Sequence, residues 1–365
     1  MRVSRFGLTD PVFSGILTPL RFLGGPSGLR RKDTFMRKRF FSAVLVLCAS
    51  LLVHDCGLAQ QGPGWFFGPA VGKLDFTFSY DGALYPDRPV SGQNADMGFS
   101  VHRVRVLAPI TQSDRFEWAA LGGLKVLPVD TDAILPDTGD AFPDQLWDVD
   151  LGTAARWKLD NGWIVGGDLV AGSASDRPFA SIDEMSFQAD ALLRVPWRES
   201  FAWIFLLNYS NIREFAPHFP LPGVTLAYEP GPHLQILAGV PYSSLRWAPT
   251  RDLEISASYF VVRTVRTRVS YRILTPLSVY AGFDWDNQRF FRRDRTDDDA
   301  RLSYYEMRIG GGIRWDASPR VYIDAGGGYA FDRFWFEGED YSDRNTNRIK
   351  LADGPFATLR VGVRF

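Results

Sequence analysis

Hydrophobic and polar residues alternate one by one along most of the chain from Lys73 onward. The alternation is clearest in residues 146–159, where one face would carry Trp147, Val149, Leu151, Ala155, Trp157 and Leu159 and the other Asp148, Asp150, Gly152, Arg156 and Lys158. Successive side chains of a strand point to opposite faces, so this pattern predicts β-strands. We find no amphipathic helical period after Lys73, and the protein is therefore predicted to be all-β.

The connections between the predicted strands alternate in length. Short turns such as 159–163 and 229–232 alternate with longer polar loops such as 128–145 and 292–300. Short turns at one end and long loops at the other are typical of transmembrane β-barrels. The sequence thus predicts a transmembrane antiparallel up-and-down β-barrel over residues 73–365, with short periplasmic turns, long outer loops and 12 to 16 strands, sixteen being the best count.

The spacing of two tryptophans supports a membrane barrel. Trp147 and Trp157 share one face of a strand and lie ten residues apart. At ~3.3 Å per residue and a tilt of about 40°, they are separated by about 25 Å along the membrane normal, which is the height of an outer-membrane apolar band. The predicted aromatic girdle consists of Trp147, Trp157, Trp163, Trp285 and Trp315.

The N-terminal part of the chain has the features of an export signal. Residues 36–59 combine a basic start, an uncharged apolar run and small residues before the bond between Ala59 and Gln60, which predicts a cleavable signal peptide. Residues 1–35 precede that signal and are interpreted as an extension from a misplaced start codon. Residues 60–72 are expected to form a periplasmic N-terminal segment.

Composition excludes some classes of function. Cleavage after Ala59 would leave 32 of the 41 basic and 39 of the 42 acidic residues, a net charge of −7, which gives no support for binding nucleic acid. Both cysteines, Cys48 and Cys56, belong to the predicted signal, so the mature chain is expected to contain no disulfide.

The last strand carries a recognisable pattern. In "FATLRVGVRF" the residues Leu359, Val361, Val363 and Phe365 fall on one face. This segment resembles the C-terminal assembly signal of bacterial outer-membrane barrels, which implies an outer-membrane location and recognition by the insertion machinery. Residues 221–259 resemble barrel families known only as domains of unknown function, and that resemblance implies a fold but no activity.

Motifs for catalysis or cofactor binding are weak. The glycine triplets 310–312 and 326–328 lie within predicted strands and lack a following helix, so they are interpreted as sites of strand curvature and close packing. The acidic runs 130–132 and 296–300 lack the spacing of a calcium loop. The three histidines after the signal stand in no recognisable catalytic arrangement. We therefore predict no enzyme, no cofactor and no metal.

Charged residues on the polar face are the candidate functional residues. The candidates for the barrel lumen are Arg266, Arg268, Arg272, Asp284, Asp286, Glu306 and Arg308. Parity of the apolar residues predicts a three-residue connection between two of these strands, which places Arg268 opposite Asp284 and Arg266 opposite Asp286. Charge is costly on a lipid-facing surface, so these charged side chains are expected to face the barrel interior.

Three functions remain open at this point. The preferred hypothesis is a passive, porin-like channel for small solutes in the outer membrane. The alternative is a non-conducting structural or surface-binding barrel whose lumen is closed by side chains or a folded-in loop, and a barrel-embedded hydrolase is a weaker one. An apolar cluster in the lumen would favour a carrier of hydrophobic solutes. The expected partners are the lipid bilayer and the insertion machinery, and the oligomeric state is left open.

Overall fold

The computed structural model describes residues 70–213, 215–260 and 264–365. The predicted extension 1–35, the signal peptide 36–59 with its cleavage site at Ala59 and Gln60, and residues 60–69 lie outside the described residues. These described residues contain seventeen strands: β1 (Thr77–Pro89), β2 (Asp96–Gln112), β3 (Phe116–Thr131), β4 (Gln145–Lys158), β5 (Ile164–Ser175), β6 (Met185–Arg198), β7 (Phe201–Ser210), β8 (Leu221–Gly231), β9 (Leu234–Val240), β10 (Tyr242–Trp247), β11 (Leu253–Phe260), β12 (Thr264–Leu274), β13 (Leu277–Phe290), β14 (Arg301–Ser318), β15 (Val321–Gly338), β16 (Ile349–Leu351) and β17 (Gly354–Arg364). Two single-turn 3-10 helices, Ile182–Glu184 and Tyr341–Asp343, lie in the connections.

Sixteen of these strands form a closed barrel. Each strand from β1 to β15 pairs antiparallel with its sequence neighbours, β15 also pairs with β17, and β17 pairs with β1. The three-residue strand β16 adds to one end of β15. Closure leaves no exposed sheet edge, because every strand of the ring has a partner on both sides. The predicted all-β, sixteen-strand antiparallel barrel is confirmed.

The two ends of the barrel differ in their connections. At one end, here called the turn end, β2 and β3, β6 and β7, and β12 and β13 are joined by only two or three residues. At the other end, the loop end, the connections 132–144, 291–300 and 339–348 are much longer. No helix among the described residues is long and apolar enough to cross a bilayer.

The outward face of the wall is apolar. Leu151, Leu169 and Ile309 expose 72%, 63% and 59% of their surface there, as expected for side chains in contact with lipid rather than water. Of the predicted girdle, Trp157, Trp163 and Trp315 are exposed near the turn end, and Trp147 and Trp285 are half-buried farther along their strands. The turn end carries further exposed tryptophans that the prediction omitted: Trp118, Trp197, Trp203 and Trp247.

The wall is much lower on one side than on the other. Strands β9, β10 and β11 have 7, 6 and 8 residues, whereas β14 and β15 each have 18. At ~3.3 Å per residue and a tilt of about 40°, these lengths correspond to about 15–20 Å and about 45 Å. We call β9–β11 the low wall. Each of its strands is shorter than the height of an outer-membrane apolar band, which is about 25 Å.

The register between β12 and β13 differs from the prediction. Leu274 lies opposite Leu277, so the connection has two residues, and the register shifts between Arg272 and Leu274. This β-bulge supplies the odd residue that parity requires, and Val265 and Trp285 still pair on the outward face. The predicted pairing of Arg268 with Asp284 and of Arg266 with Asp286 is therefore wrong by two positions. Arg266 lies opposite Asp284, and Arg268 lies opposite Gly282.

Candidate functional site

A cavity of about 280 Å³ lies inside the barrel. Its charged lining consists of six arginines and four aspartates, a net charge of +2: Arg103, Arg105, Arg266, Arg268, Arg308, Arg360, Asp81, Asp284, Asp286 and Asp324. The low wall and the adjoining end of β12 contribute uncharged side chains: Gln235, Leu237, Tyr242, Ser244, Ser258, Phe260 and Thr264. The cavity is thus charged on one side and largely uncharged on the other.

One group of charges surrounds Asp81 on β1. Asp81 lies opposite Arg103 of β2 in the register, yet its carboxylate accepts hydrogen bonds from Arg105, at 2.6 Å, and from Arg360. Arg103 has no carboxylate oxygen within 4.0 Å and no hydrogen-bond partner among the described residues. The aspartate nearest to it along the strand pair is therefore already occupied.

A second group is organised by Tyr280 on β13. Its hydroxyl donates to Asp324, which also receives a hydrogen bond of 2.6 Å from Arg268. The Arg268 guanidinium lies 3.6 Å from the centre of the Tyr280 ring, so the two side chains stack. A Cβ atom at Gly312 or Gly326 would lie 2.6 or 2.5 Å from the Tyr280 hydroxyl. These glycines of β14 and β15 therefore permit close packing of Tyr280, as the sequence analysis predicted.

The remaining charge candidates lie around β14. Arg308 pairs with Asp284 at 3.1 Å and with Glu306 at 3.5 Å, and Arg266 pairs with Asp286 at 3.6 Å. Glu306 also accepts hydrogen bonds from two tyrosine hydroxyls, those of Tyr85 at 2.7 Å and Tyr304 at 3.0 Å, which the sequence analysis did not single out. Arg272 is exposed near the turn end, away from this group. The structure thus brings together six of the seven predicted lumen charges.

The loop end of the lumen is filled by buried apolar side chains, here called the loop-end plug. Trp335 lies at its centre with 0% exposure, and its ring centre lies 4.6 Å from that of Tyr304 and 5.1 Å from that of Phe142. The connection between β3 and β4 contributes Ala133, Leu135 and Phe142, so this loop folds inward. The other main members are Tyr85, Val90, Met97, Phe99, Leu127, Val129, Leu146, Phe290, Phe291, Leu302, Ile349 and Leu351.

Polar contacts hold the β3–β4 loop in this position. Arg292 pairs with Asp140 of that loop at 3.0 Å and with Glu337 of β15 at 2.9 Å. The Asn347 side-chain oxygen accepts hydrogen bonds from the backbone N–H of Asp137 and Thr138, at 2.9 and 3.2 Å. Burial alone would lower the pKa of Arg292, but its hydrogen bond to Glu337 and the negative charge nearby raise that pKa above its usual value.

The β3–β9 side of the interior is packed rather than open. An apolar cluster there contains Leu121, Ala154, Val170, Leu192, Ala202, Ile204, Leu206, Ala227 and Leu237. Next to it, the buried Lys125 ammonium pairs with Asp148 at 2.8 Å, and buried Arg156 pairs with Glu117. Buried ionic pairs of this kind satisfy polar groups that would otherwise be costly inside the wall.

The outward face carries one polar group that resembles a catalytic arrangement. His102 Nδ1 lies 2.9 Å from the Tyr80 hydroxyl and His102 Nε2 lies 3.1 Å from the Ser100 hydroxyl. The three residues lie on paired strands, whose backbone N–H groups are directed into the ladder rather than toward a substrate oxygen. The contacts therefore satisfy polar groups on the lipid-facing surface. No cluster of three or more metal-ligating side chains occurs in the described part of the chain.

Three of the four predicted C-terminal assembly residues lie on β17, and Phe365 directly follows it. Leu359 and Phe365 are 46% and 63% exposed on the outward face, and the Phe365 N–H donates to the Phe76 carbonyl at 2.9 Å. The final residue is thereby paired with the segment that precedes β1. Val361 and Val363 share the same face and pair with Tyr80 and Phe78.

The similarities to known proteins are distant. No family model and no curated protein matches the chain. Among solved structures, the COG4313 outer membrane channel from Pseudomonas putida F1 is 11% identical, with a TM-score of 0.35 over 86% of this chain and all of that one. The Pseudomonas putida toluene transporter TodX is 9% identical, with a TM-score of 0.35 over 84% of this chain and 95% of TodX. The β domain of the Bordetella autotransporter BrkA is 12% identical, with a TM-score of 0.30 over 80% of this chain and all of that domain. Such distant similarity carries no argument about function.

Proposed function

We propose that this protein is an outer-membrane barrel that forms a passive channel for small solutes. The observation that carries the proposal is the charged cavity across the lumen. A barrel that served only as a scaffold would be expected to fill its interior, since an unfilled, charged cavity contributes little packing energy. The apolar outward face and the tryptophans at the turn end support the membrane location, with the turn end at the periplasm.

The loop-end plug favours a second candidate, a non-conducting barrel. Fully buried side chains such as Trp335 and Phe290 pack across the loop end, and they leave the charged cavity below them. In the channel proposal, a solute passes the plug through displacement of the β3–β4 loop or bypasses it. In the second candidate, the plug stays closed and the cavity binds a solute without passing it.

Solute uptake by liposomes separates the two candidates. Residues 60–365 would be refolded into liposomes, and swelling would be followed after dilution into isosmotic arabinose. We expect uptake above that of protein-free liposomes and above that of liposomes containing heat-denatured protein. Swelling no faster than in both controls would contradict the channel proposal and favour the non-conducting barrel.

A further inference from the structure

The two sides of the cavity lie opposite each other in the barrel. Strand β10 of the low wall lies eight strands from β2 in a ring of sixteen, so Tyr242 of β10 faces the strand that carries Arg103. Leu237 and Phe260, on the strands beside β10, also line the cavity. The cavity therefore has guanidinium groups toward one wall and uncharged side chains, among them Leu237, Tyr242 and Phe260, toward the other.

Arg103 is the arginine of this cavity whose charge is least compensated. Most other lining arginines are matched: Arg105 and Arg360 bind Asp81, Arg268 binds Asp324, and Arg308 binds Asp284. Arg103 forms no ion pair within 4.0 Å in the described part of the chain. An arginine in such a site gains a strong, charge-assisted hydrogen bond when an anion reaches it.

The low wall brings apolar side chains into the lining of the cavity. Three of its lining side chains are apolar or aromatic, Leu237, Tyr242 and Phe260, and they stand beside the polar Gln235, Ser244 and Ser258. A solute with no apolar part would lose hydration against Leu237 and Phe260 without gaining a partner from those two side chains. A solute with an apolar part would instead gain from contact with these residues.

We propose that the cavity binds a small amphipathic anion, with Arg103 as the residue that receives the anionic group. The inference rests on the proposed function, because it names the class of solute for the same cavity. The volume of about 280 Å³ corresponds to roughly nine water molecules at ~30 Å³ each. That volume suits one aromatic ring, or a short aliphatic chain, with a carboxylate.

Fluorine NMR in nanodiscs tests this proposal. The protein would be placed in phosphocholine nanodiscs, which carry no net charge, and titrated with 4-fluorobenzoate and with its neutral analogue 4-fluorobenzamide. We expect saturable binding of the benzoate to the wild type and clearly weaker binding of the benzamide. The substitution Arg103→Gln should weaken benzoate binding about 10- to 100-fold, the usual range for loss of a charge-assisted hydrogen bond, and leave benzamide binding unchanged.

Two further variants control for unrelated effects. Arg115→Gln removes an arginine that lies in a turn and is 70% exposed, so it should bind benzoate like the wild type. Arg103→Lys keeps the positive charge and should retain the preference for benzoate over benzamide. Equal binding of the two ligands by the wild type, absence of saturable benzoate binding, or wild-type affinity in Arg103→Gln would each overturn the proposal.

The outcome is independent of the test of the channel. Benzoate binding without solute uptake by liposomes would leave this inference standing and remove the channel proposal. Uptake of arabinose without a preference for benzoate over benzamide would support the channel and overturn this inference. Because the comparison of the two ligands uses the wild-type protein, the inference stays testable even if Arg103→Gln fails to assemble.

Discussion

Removal of the Trp335 side chain should both destabilise the barrel and loosen the loop-end plug. Trp335 is 0% exposed, and its ring centre lies 4.6, 5.1 and 6.3 Å from those of Tyr304, Phe142 and Phe99. Trp335→Ala removes the side chain that these rings share and leaves a cavity between β15 and the β3–β4 loop. Substitutions of this type cost about 3–5 kcal/mol in the free energy of unfolding.

The assay is urea unfolding of the refolded protein in lipid, followed by tryptophan fluorescence and by the gel mobility of unboiled samples. Trp157→Ala is the matched control, because Trp157 is 56% exposed on the outward face and its loss leaves no internal cavity. We expect a smaller loss of stability for this control. Conductance across planar bilayers should rise for Trp335→Ala and stay unchanged for Trp157→Ala.

Two results would refute this reasoning. A loss of less than 1 kcal/mol for Trp335→Ala would show that the loop end is not closely packed around this ring. Unchanged conductance together with a large loss of stability would show that the plug contributes to stability but does not limit passage through the lumen.

Three further changes test other parts of the structure. Asp148→Ala takes away the partner of buried Lys125 and should cost about 3–5 kcal/mol in urea unfolding, and a loss below 1 kcal/mol would contradict the buried pair. A spin label at Val240→Cys, on the rim of the low wall, should collide more often with oxygen than with a water-soluble nickel complex. A label at Ile134→Cys, in the β3–β4 loop, should show the opposite. Equal collision rates at the two positions would argue against a rim at bilayer depth. Deletion of Phe365 should lower the fraction of protein that assembles in the outer membrane, as measured by heat-dependent gel mobility, while export stays intact; full assembly would remove the assembly-signal role.

The barrel was predictable because its signals are local. Side-chain alternation marks each strand, and the contrast between turns such as 159–163 and loops such as 128–145 marks the two ends. The low wall was visible in the sequence only as two short segments. A low wall is recognised only by comparing the lengths of neighbouring strands, and the sequence of one strand does not give that comparison.

The register error shows a limit of parity arguments. For Val265 and Trp285 to pair on one face, the number of unpaired residues between them must be odd. Parity does not say whether the residue that makes this number odd lies in the turn or in a bulge. The structure places it in a bulge beside Arg272. In the same way, the partner of Arg268 is Asp324, 56 residues away in the sequence. The glycines of β14 and β15 leave room for Arg268 to reach across two strands and for Tyr280 to reach across one.

The loop-end plug was not predicted, because the β3–β4 loop appears polar as a whole. Its apolar residues Ala133, Leu135 and Phe142 are dispersed among aspartates and prolines. Whether such residues are exposed or buried depends on what lies beneath them, and here that is Trp335 and its aromatic neighbours. The available signal for an inward-folded loop was the presence of these apolar residues within a long acidic loop.

The reversal potential of the wild-type protein in a salt gradient tests the central claim most directly. Residues 60–365 would be inserted into neutral planar bilayers with different potassium chloride concentrations on the two sides. A solute channel whose cavity carries a net charge of +2 should show discrete conductance steps and a reversal potential of the sign given by chloride preference. A cation preference would contradict the role assigned to the arginines, and the absence of any conductance, in the wild type and in Trp335→Ala alike, would contradict the channel itself.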